Sequence, residues 1–259
     1  MKNIISLFVL SATLVLVSFN NVGLKDYKID KIVIDAGHGG RDPGTHGKIS
    51  KEKDIALKIA LEAGATIKKY LPDVEVIYTR DKDSFPSLAE RAELANKNGA
   101  DLFISIHCNW LSRPEIHGTE TYVMGIHKTE ANFEVAKREN SVILYEENAK
   151  ETYDGFDPNS PESYILFSLY QNAYMSNSLM LAQNVENQFK TRVGRRSRGV
   201  KSAGFWVLYK TSMPSILIET GYLSNEKEER ELNDELQQTY IAHGIYRAFR
   251  DYKRDLESL

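Results

Sequence analysis

The chain has 259 residues, 42% of them hydrophobic and 27% charged, with a formal net charge of −3 at pH 7. That balance is ordinary for a globular chain with one sizeable core, and it carries no basic footprint for nucleic acid. The single cysteine, Cys108, excludes an intrachain disulfide, so any stability comes from the core alone.

At the N-terminus, Lys2 is followed by an uncharged, mostly apolar run over residues 4–19. This has the form of a secretory signal, and it falls short of a comfortable transmembrane helix. Cleavage is the expected fate; with no clean A-x-A site before Asn20, an N-terminal anchor is the alternative. Residues 1–20 are therefore read as signal peptide or anchor, and residues 21–29 as a linker. The expected location is outside the cytoplasm, in the periplasm or cell envelope, with no membrane span in the mature chain.

The run KIVIDAGHGG at residues 31–40 is the organising stretch: a short apolar strand, then Asp35, glycines and His38. A Gly-rich polar loop (RDPGTHGKIS) leads into helical spacing of Ile55, Ile59, Ala60, Ala63 and Ile67, which predicts a helix over residues 51–70. Residues 74–78 read as a strand and 88–97 as a helix closed by Gly99. The run LFISIHCN follows, a strand bearing His107. This β-α-β-α-β rhythm argues for a largely parallel sheet. Residues 117–124 alternate as a further strand, of a kind that suits a sheet edge. The rhythm then breaks: residues 129–151 are rich in charge and helix formers, and 153–161 are turn-rich. A long helix is predicted over 163–189, a basic loop over 192–202, and strands over 205–208 and 214–219. Helices over 226–232 and 236–252 close the chain.

Three apolar runs thus deliver His38, His107 and Glu219 to strand ends, where sites of open α/β sheets gather. A catalytic zinc commonly takes three protein ligands of mixed His and carboxylate character and keeps one open position. Glu52 and Asp54, at the start of the first helix, are both candidates for the third ligand, and spacing does not choose between them. Their alternative role is to favour the helix N-terminus electrostatically. Glu219 is either a ligand or the base that takes a proton from water. On strand alternation Ser105, His107 and Asn109 share a face, which places Asn109 to hydrogen-bond a substrate amide. Cys108 faces the other way and reads as a core thiol rather than a nucleophile. Arg80 and Arg91 read as partners of carboxylates in the fold. His46, His117 and His127 lack strand-end context, and His243 belongs to the last helix. Arg192, Arg195, Arg196 and Arg198 form a basic loop that is either solvated or able to meet peptide carboxylates.

The pieces IDAGHGGRDPG, Glu52 within EKD, TRDKD with LAERAELAN, DLFISIHCN and PSILIETGYLSN run in one order across residues 31–253. In these the chain resembles the zinc-dependent N-acetylmuramoyl-L-alanine amidases of the type 3 family, bacterial cell-wall hydrolases. The resemblance implies an α/β fold: a mixed, largely parallel six-stranded sheet flanked by helices, in one domain over residues 30–255. It implies a Zn2+ cofactor held by His38, Glu52 and His107, Glu219 as catalytic acid–base, and peptidoglycan as substrate. The bond would be the lactyl amide joining N-acetylmuramic acid to L-alanine. Cys108 stands where the family often has Ala. Some relatives carry an insert between the strand near Met124 and the following long helix, with an acidic side chain on the open zinc position. Residues 125–160 are the corresponding segment, with Glu139, Glu146 and Glu147 as candidate acids and an activator protein as the implied partner that displaces it. An acidic, solvated helix that only decorates the fold is the alternative. For the whole chain, the other readings are a zinc peptidase acting within the stem peptide and a non-catalytic wall-binding module.

Overall fold

A computed structural model of the chain describes residues 28–168 and 173–258. The signal-like segment and most of the linker lie outside the described residues. Among the described residues, no helix is long and apolar enough to cross a membrane. Strands β1 (Lys31–Ala36), β2 (Glu75–Tyr78), β3 (Leu102–Asn109), β4 (Thr119–Met124), β5 (Ser197–Ala203) and β6 (Ser215–Tyr222) form one sheet. Their order is β2-β1-β3-β6-β4-β5. β2, β1, β3 and β6 are mutually parallel, while β4 runs antiparallel to β6 and parallel to β5. The sheet is mixed and largely parallel, as expected.

The central strands read as unbroken apolar runs because helices cover both faces of the sheet. On one face lie α1 (Glu52–Tyr70), and two helices from the second half of the chain. α2 (Leu88–Lys97) and α3 (Glu130–Asn140) lie on the other; α4 (Met175–Gln188), α5 (Glu226–Asn233) and α6 (Glu235–Glu257) follow in the chain. Ile55, Ile59 and Ala63 of α1, Leu181 and Val185 of α4, and Ile245 and Phe249 of α6 pack on Ile32, Ile34, Ile104 and Ile216. On the second face, Phe133 and Ala136 of α3 join Tyr153, Phe156, Tyr164, Phe167 and Trp206 against Val33, Phe103, Tyr122 and Leu217. α2 starts at a capping box in which Ser87 and Glu90 exchange hydrogen bonds, and it stops at Gly99, whose φ is 58°.

Four expectations about elements need correction. Residues 163–189 are not one helix. A 3-10 turn (Pro161–Tyr164) and one helical turn (Ile165–Ser168) come first, and α4 begins only after a turn at Ala173 and Tyr174. The reason is packing: Tyr164 and Phe167 belong to the second face of the sheet, whereas Leu181 and Val185 belong to the first. One straight helix cannot reach both. From Ser197 on, the basic loop is in fact strand β5, whose polar sequence SRGVKSA suits an edge. The expected strand at 205–208 is instead a helical turn, Trp206–Tyr209, because a short apolar run has the same pattern in either buried form. β4 is also not an edge strand; it lies between β6 and β5.

A charged clamp ties β1 to its neighbours just below the site. The Asp35 carboxylate accepts from Arg91 Nη1 at 2.7 Å, Thr79 Oγ1 at 2.6 Å and Ser105 Oγ at 2.6 Å. Arg91 also donates to the carbonyls of Ala36 and His38, both at 2.7 Å, and so fixes the chain leaving β1. Burial alone would raise the Asp35 carboxyl, but Arg91 and the two hydroxyls outweigh it and hold it down at about 2. The stability this clamp contributes is therefore present above the ordinary value of 3.8 and is lost as pH falls from there through about 2. Arg91→Met leaves a buried carboxylate unpaired and should cost about 3–5 kcal/mol, read as a lower denaturant midpoint at neutral pH. The variant should also lose part of the acid-unfolding transition in that window, since the carboxyl no longer titrates so low. A variant as stable as the parent would show that the clamp contributes nothing.

Candidate metal and hydrolase site

The site forms at the carboxyl edge of the parallel strands. β1 ends at Ala36, and the Gly37 N–H donates to the Ile106 carbonyl on β3 at 3.0 Å. A Cβ on Gly37 would lie 2.4 Å from the His107 ring, so only glycine lets the turn pass the imidazole. His38 takes a left-handed conformation with φ of 59°, a strained geometry for a residue with a side chain, worth about 1–3 kcal/mol. It is held there by Arg91 on its carbonyl and by Asp42, whose Oδ2 lies 2.6 Å from His38 Nδ1. Asp42 thereby takes the Nδ1–H and leaves the Nε2 lone pair facing inward.

His107 lies on β3 directly opposite Glu219 on β6. Its Nε2 is 3.1 Å from Ser105 Oγ, and that hydroxyl gives its own hydrogen to Asp35. Ser105 therefore accepts from His107 Nε2–H, and the Nδ1 lone pair is the one offered to the site. Glu52 is the first residue of α1 and is fully buried. The N–H groups of Thr45 and Cys108 donate to its two oxygens at 2.7 and 2.8 Å. A Cβ on Gly44 would meet Glu52 Oε2 and the His38 ring at 2.6 Å, so the loop approaches both ligand-type groups at backbone distance. Asp54, the rival for the third position, is exposed.

A fourth group arrives from α3. Glu139 Oε2 lies 3.0 Å from His38 Nε2 and 2.9 Å from His107 Nδ1, while the Glu52 oxygens lie 3.1 and 3.0 Å from the same two nitrogens. Donor atoms of His38, Glu52, His107 and Glu139 all fall within 4.8 Å of one another, every residue buried. His38 Nε2 and Glu139 Oε2 are close yet make no hydrogen bond of acceptable geometry. Buried polar atoms without partners are costly, and these aim at a common point, as ligands of a cation do. Two imidazoles and carboxylates suit a zinc-like ion. In the absence of a cation, burial opposes charge on the two rings, but the surrounding carboxylates prevail, Glu52 foremost for His38 and Glu139 for His107. His38 is pushed well up and His107 to about 9. Glu52 and Glu139 are displaced downward despite their burial, by the same imidazoles.

Glu219 stands beside this group and is not part of it. It is fully buried, and neither carboxylate oxygen has a hydrogen-bond partner; Arg138 Nη2 approaches Oε1 at 3.6 Å. Burial, then the charge of Glu139, raise its carboxyl well above the usual range, with Arg138 opposing. The remaining candidates fall elsewhere. Glu146 receives the Tyr153 hydroxyl at 2.5 Å near the start of α2, and Glu147 is exposed. His46 is exposed, His127 stacks on Phe133, and His117 and His243 are half-buried away from the cluster. Cys108 is buried with its thiol pushed up by burial, which makes it a poor nucleophile. Arg80 serves the backbone, donating to the carbonyls of Ala36, Gly37 and Lys53. Within the basic stretch, Arg195 pairs with Glu228 at 2.6 Å and Arg198 with Glu120 at 2.7 Å. Asn109 is buried, its Oδ1 accepting from Arg138 Nη2 at 3.0 Å.

Sequence reasoning missed Asp42, Ser105 as a partner of His107, and Arg138. The first two had readable signals: an acid four residues past a strand-end His, and a hydroxyl two residues before His107 on the same face. Arg138 had none, because its partners are remote in the chain.

Comparisons with known proteins identify the family. Residues 32–251 match the family model described as N-acetylmuramoyl-L-alanine amidase. The chain is 33% identical over 218 residues to the N-acetylmuramoyl-L-alanine amidase AmiA of Escherichia coli K12, covering 83% of this chain and 73% of AmiA. The catalytic domain of CwlV, an N-acetylmuramoyl-L-alanine amidase from Bacillus (Paenibacillus) polymyxa var. colistinus, superposes with a TM-score of 0.64 at 30% identity. That match covers 86% of this chain and 97% of that catalytic domain. The CwlD amidase of Clostridioides difficile, solved in complex with the GerS lipoprotein, superposes with a TM-score of 0.63 at 27% identity, covering 86% and 98% of the two chains. With its sheet, its His and Glu residues gathered at the carboxyl edge and a match over nearly the whole described chain, this protein belongs to the N-acetylmuramoyl-L-alanine amidase family of hydrolases.

Proposed function

We propose that the chain hydrolyses the amide between N-acetylmuramic acid and L-alanine in peptidoglycan, with zinc held by His38, Glu52 and His107. The observation that supports this best is the set of converging donor atoms, His38 Nε2 and Glu139 Oε2 among them without hydrogen bonds, beside a buried carboxylate with no hydrogen bonds of its own. Bound zinc would supply Lewis acidity toward the scissile carbonyl and lower the pKa of water. The chain's own residues do the rest. Asp42 and Ser105 fix the imidazole tautomers, and the Thr45 and Cys108 N–H groups orient Glu52. Glu219 takes a proton from the attacking water and returns it to the leaving amine. Its unbonded oxygens leave it free to do both. The uncharged run at residues 4–19 supports export to the envelope, where peptidoglycan lies.

In the same reading, residues 125–160 are a regulatory insert that holds the site shut. Glu139 sits where a fourth ligand or a substrate oxygen would go, and its neighbour Arg138 bonds Asn109 and the Trp110 carbonyl, both at 3.0 Å. A substrate cannot enter until α3 withdraws, which calls for a partner that binds the insert elsewhere. A relative solved together with a lipoprotein supports a protein partner of this kind.

Two measurements test the chemistry and a third tests the block. Mass spectrometry of purified sacculi digested with the chain should find intact free stem peptides and peptide-free glycan. Shortened stems still attached to sugar would mark a peptidase instead. Glu219→Gln should lower turnover by about two orders of magnitude or more while metal content is retained. Metal loss in that variant would make Glu219 a ligand. Glu139→Ala should raise the rate on sacculi by about tenfold or more, as expected when a closed state is disfavoured. A folded Glu139→Ala protein no faster than the parent contradicts autoinhibition.

A further inference from the structure

Arg138 reveals the character of the surface it covers. Its guanidinium donates from Nη1 to the Trp110 carbonyl and from Nη2 to Asn109 Oδ1, each at 3.0 Å, with Glu219 Oε1 3.6 Å from Nη2. Two acceptors and the Glu219 carboxylate therefore face the outer nitrogens of one planar N–H donor, whose Nε donates to Glu139 Oε1 at 3.0 Å. The direction of the Asn109 amide follows from its neighbours. Its Nδ2 faces Glu120 Oε2 at 3.4 Å, which only accepts, while its Oδ1 faces the Trp110 N–H at 2.8 Å and Arg138, which only donate. Glu120 is itself buried and anchored by Arg198, Lys201, Tyr122 and Tyr222. Turning the amide over would set donor against donor and acceptor against acceptor. Asn109 Oδ1 and the Trp110 carbonyl are thus a fixed acceptor pair beside Glu219.

Amide hydrolysis creates N–H bonds at one atom. The water oxygen forms the new bond to the carbonyl carbon, and the C–N bond breaks with its electron pair going to nitrogen. The proton that Glu219 took from water ends on that nitrogen, which changes from an amide N–H into a primary amine. As that proton arrives, before the C–N bond breaks, the nitrogen carries two N–H bonds and positive charge, so acceptors placed there bind it more tightly than the flat, neutral amide, and that difference lowers the barrier. We propose that Asn109 Oδ1 and the Trp110 carbonyl accept the N–H bonds of the leaving alanine amine, and that Arg138 fills this leaving-amine subsite as a built-in mimic. The role rests on the amidase reading above; the acceptor pair itself does not.

The test uses the full chain carrying Arg138→Ala, which uncovers the acceptors. Millimolar methylguanidinium should raise its Tm by about 2 °C or more, as a ligand of the folded state does. Tetramethylammonium, a cation without N–H groups, should not. Adding Asn109→Leu should abolish the shift, with Asn109→Ala replacing it if the circular dichroism spectrum departs from the parent. Equal shifts from both cations, or a shift that survives loss of Asn109, overturn the acceptor pair. In the kinetic arm, Asn109→Leu on the same background should lower kcat on the muramoyl-alanine amide by about tenfold or more with KM little changed. On the ester analogue, where oxygen replaces the scissile N–H, the loss should stay within about twofold. Equal loss on both substrates overturns the leaving-amine role alone. A chain that hydrolyses neither substrate overturns the amidase reading and the role with it, while the methylguanidinium result still decides the acceptor pair.

Discussion

The constraint on which the structure turns is the confinement of four carboxylates, those of Asp42, Glu52, Glu139 and Glu219, around two imidazoles with almost no access to water. Charges buried together are tolerated only when paired, protonated or neutralised by an ion. Here the pairing is incomplete: His38 Nε2, Glu139 Oε2 and both Glu219 oxygens are left without hydrogen bonds. The surrounding carboxylates favour positive charge at the two rings and so push both upward. A divalent cation would compensate fully, and the second ring of partners, Asp42 and Ser105, already presents the right nitrogens to it.

The fold exists to hold that arrangement at one edge. Parallel pairing of β1, β3 and β6 brings three chain ends to the same side, and the register sets His107 beside Glu219. Helices on both faces let these strands be largely apolar, and the polar side chains Asp35, His107 and Glu219 lie toward their carboxyl halves. Arg91 links α2 to the turn that carries His38, and Glu52 enters from the first residue of α1. The insert is anchored independently, through the aromatic cluster of Tyr153, Phe156, Tyr164, Phe167 and Trp206 on the second face. In the proposed reading, α3 leaves the site only by drawing its Phe133 and Ala136 out of this same cluster.

Much of this was legible in the sequence because its signals are local. Apolar runs that end in His38, His107 and Glu219, the helical spacing of Ile55, Ile59 and Ala63, and Gly99 after α2 are each contained within a few residues. What failed was what tertiary context decides. The polar run SRGVKSA is a strand only because β4 offers it an edge, and the apolar run ending at Leu208 folds as a helical turn around Trp206. Residues 163–189 carry helical spacing in both halves, yet the halves pack on opposite faces of the sheet. Composition marked residues 129–151 as helical and acidic but could not single out Glu139, since its placement depends on where α3 docks against β3. Glu52 and Asp54 were inseparable by spacing for the same reason; only the fold buries one and exposes the other.

The central claim is that the converging atoms of His38, Glu52, His107 and Glu139 enclose one zinc ion. Anomalous diffraction from crystals of the full chain, collected on both sides of the zinc absorption edge, addresses it directly. The account predicts a single strong difference peak bonded to His38 Nε2, His107 Nδ1, Glu52 and Glu139, at roughly 2.0–2.2 Å from each. A cluster without anomalous signal in zinc-replete protein, or an ion bound through Asp42 or Glu219 in place of these groups, would contradict it.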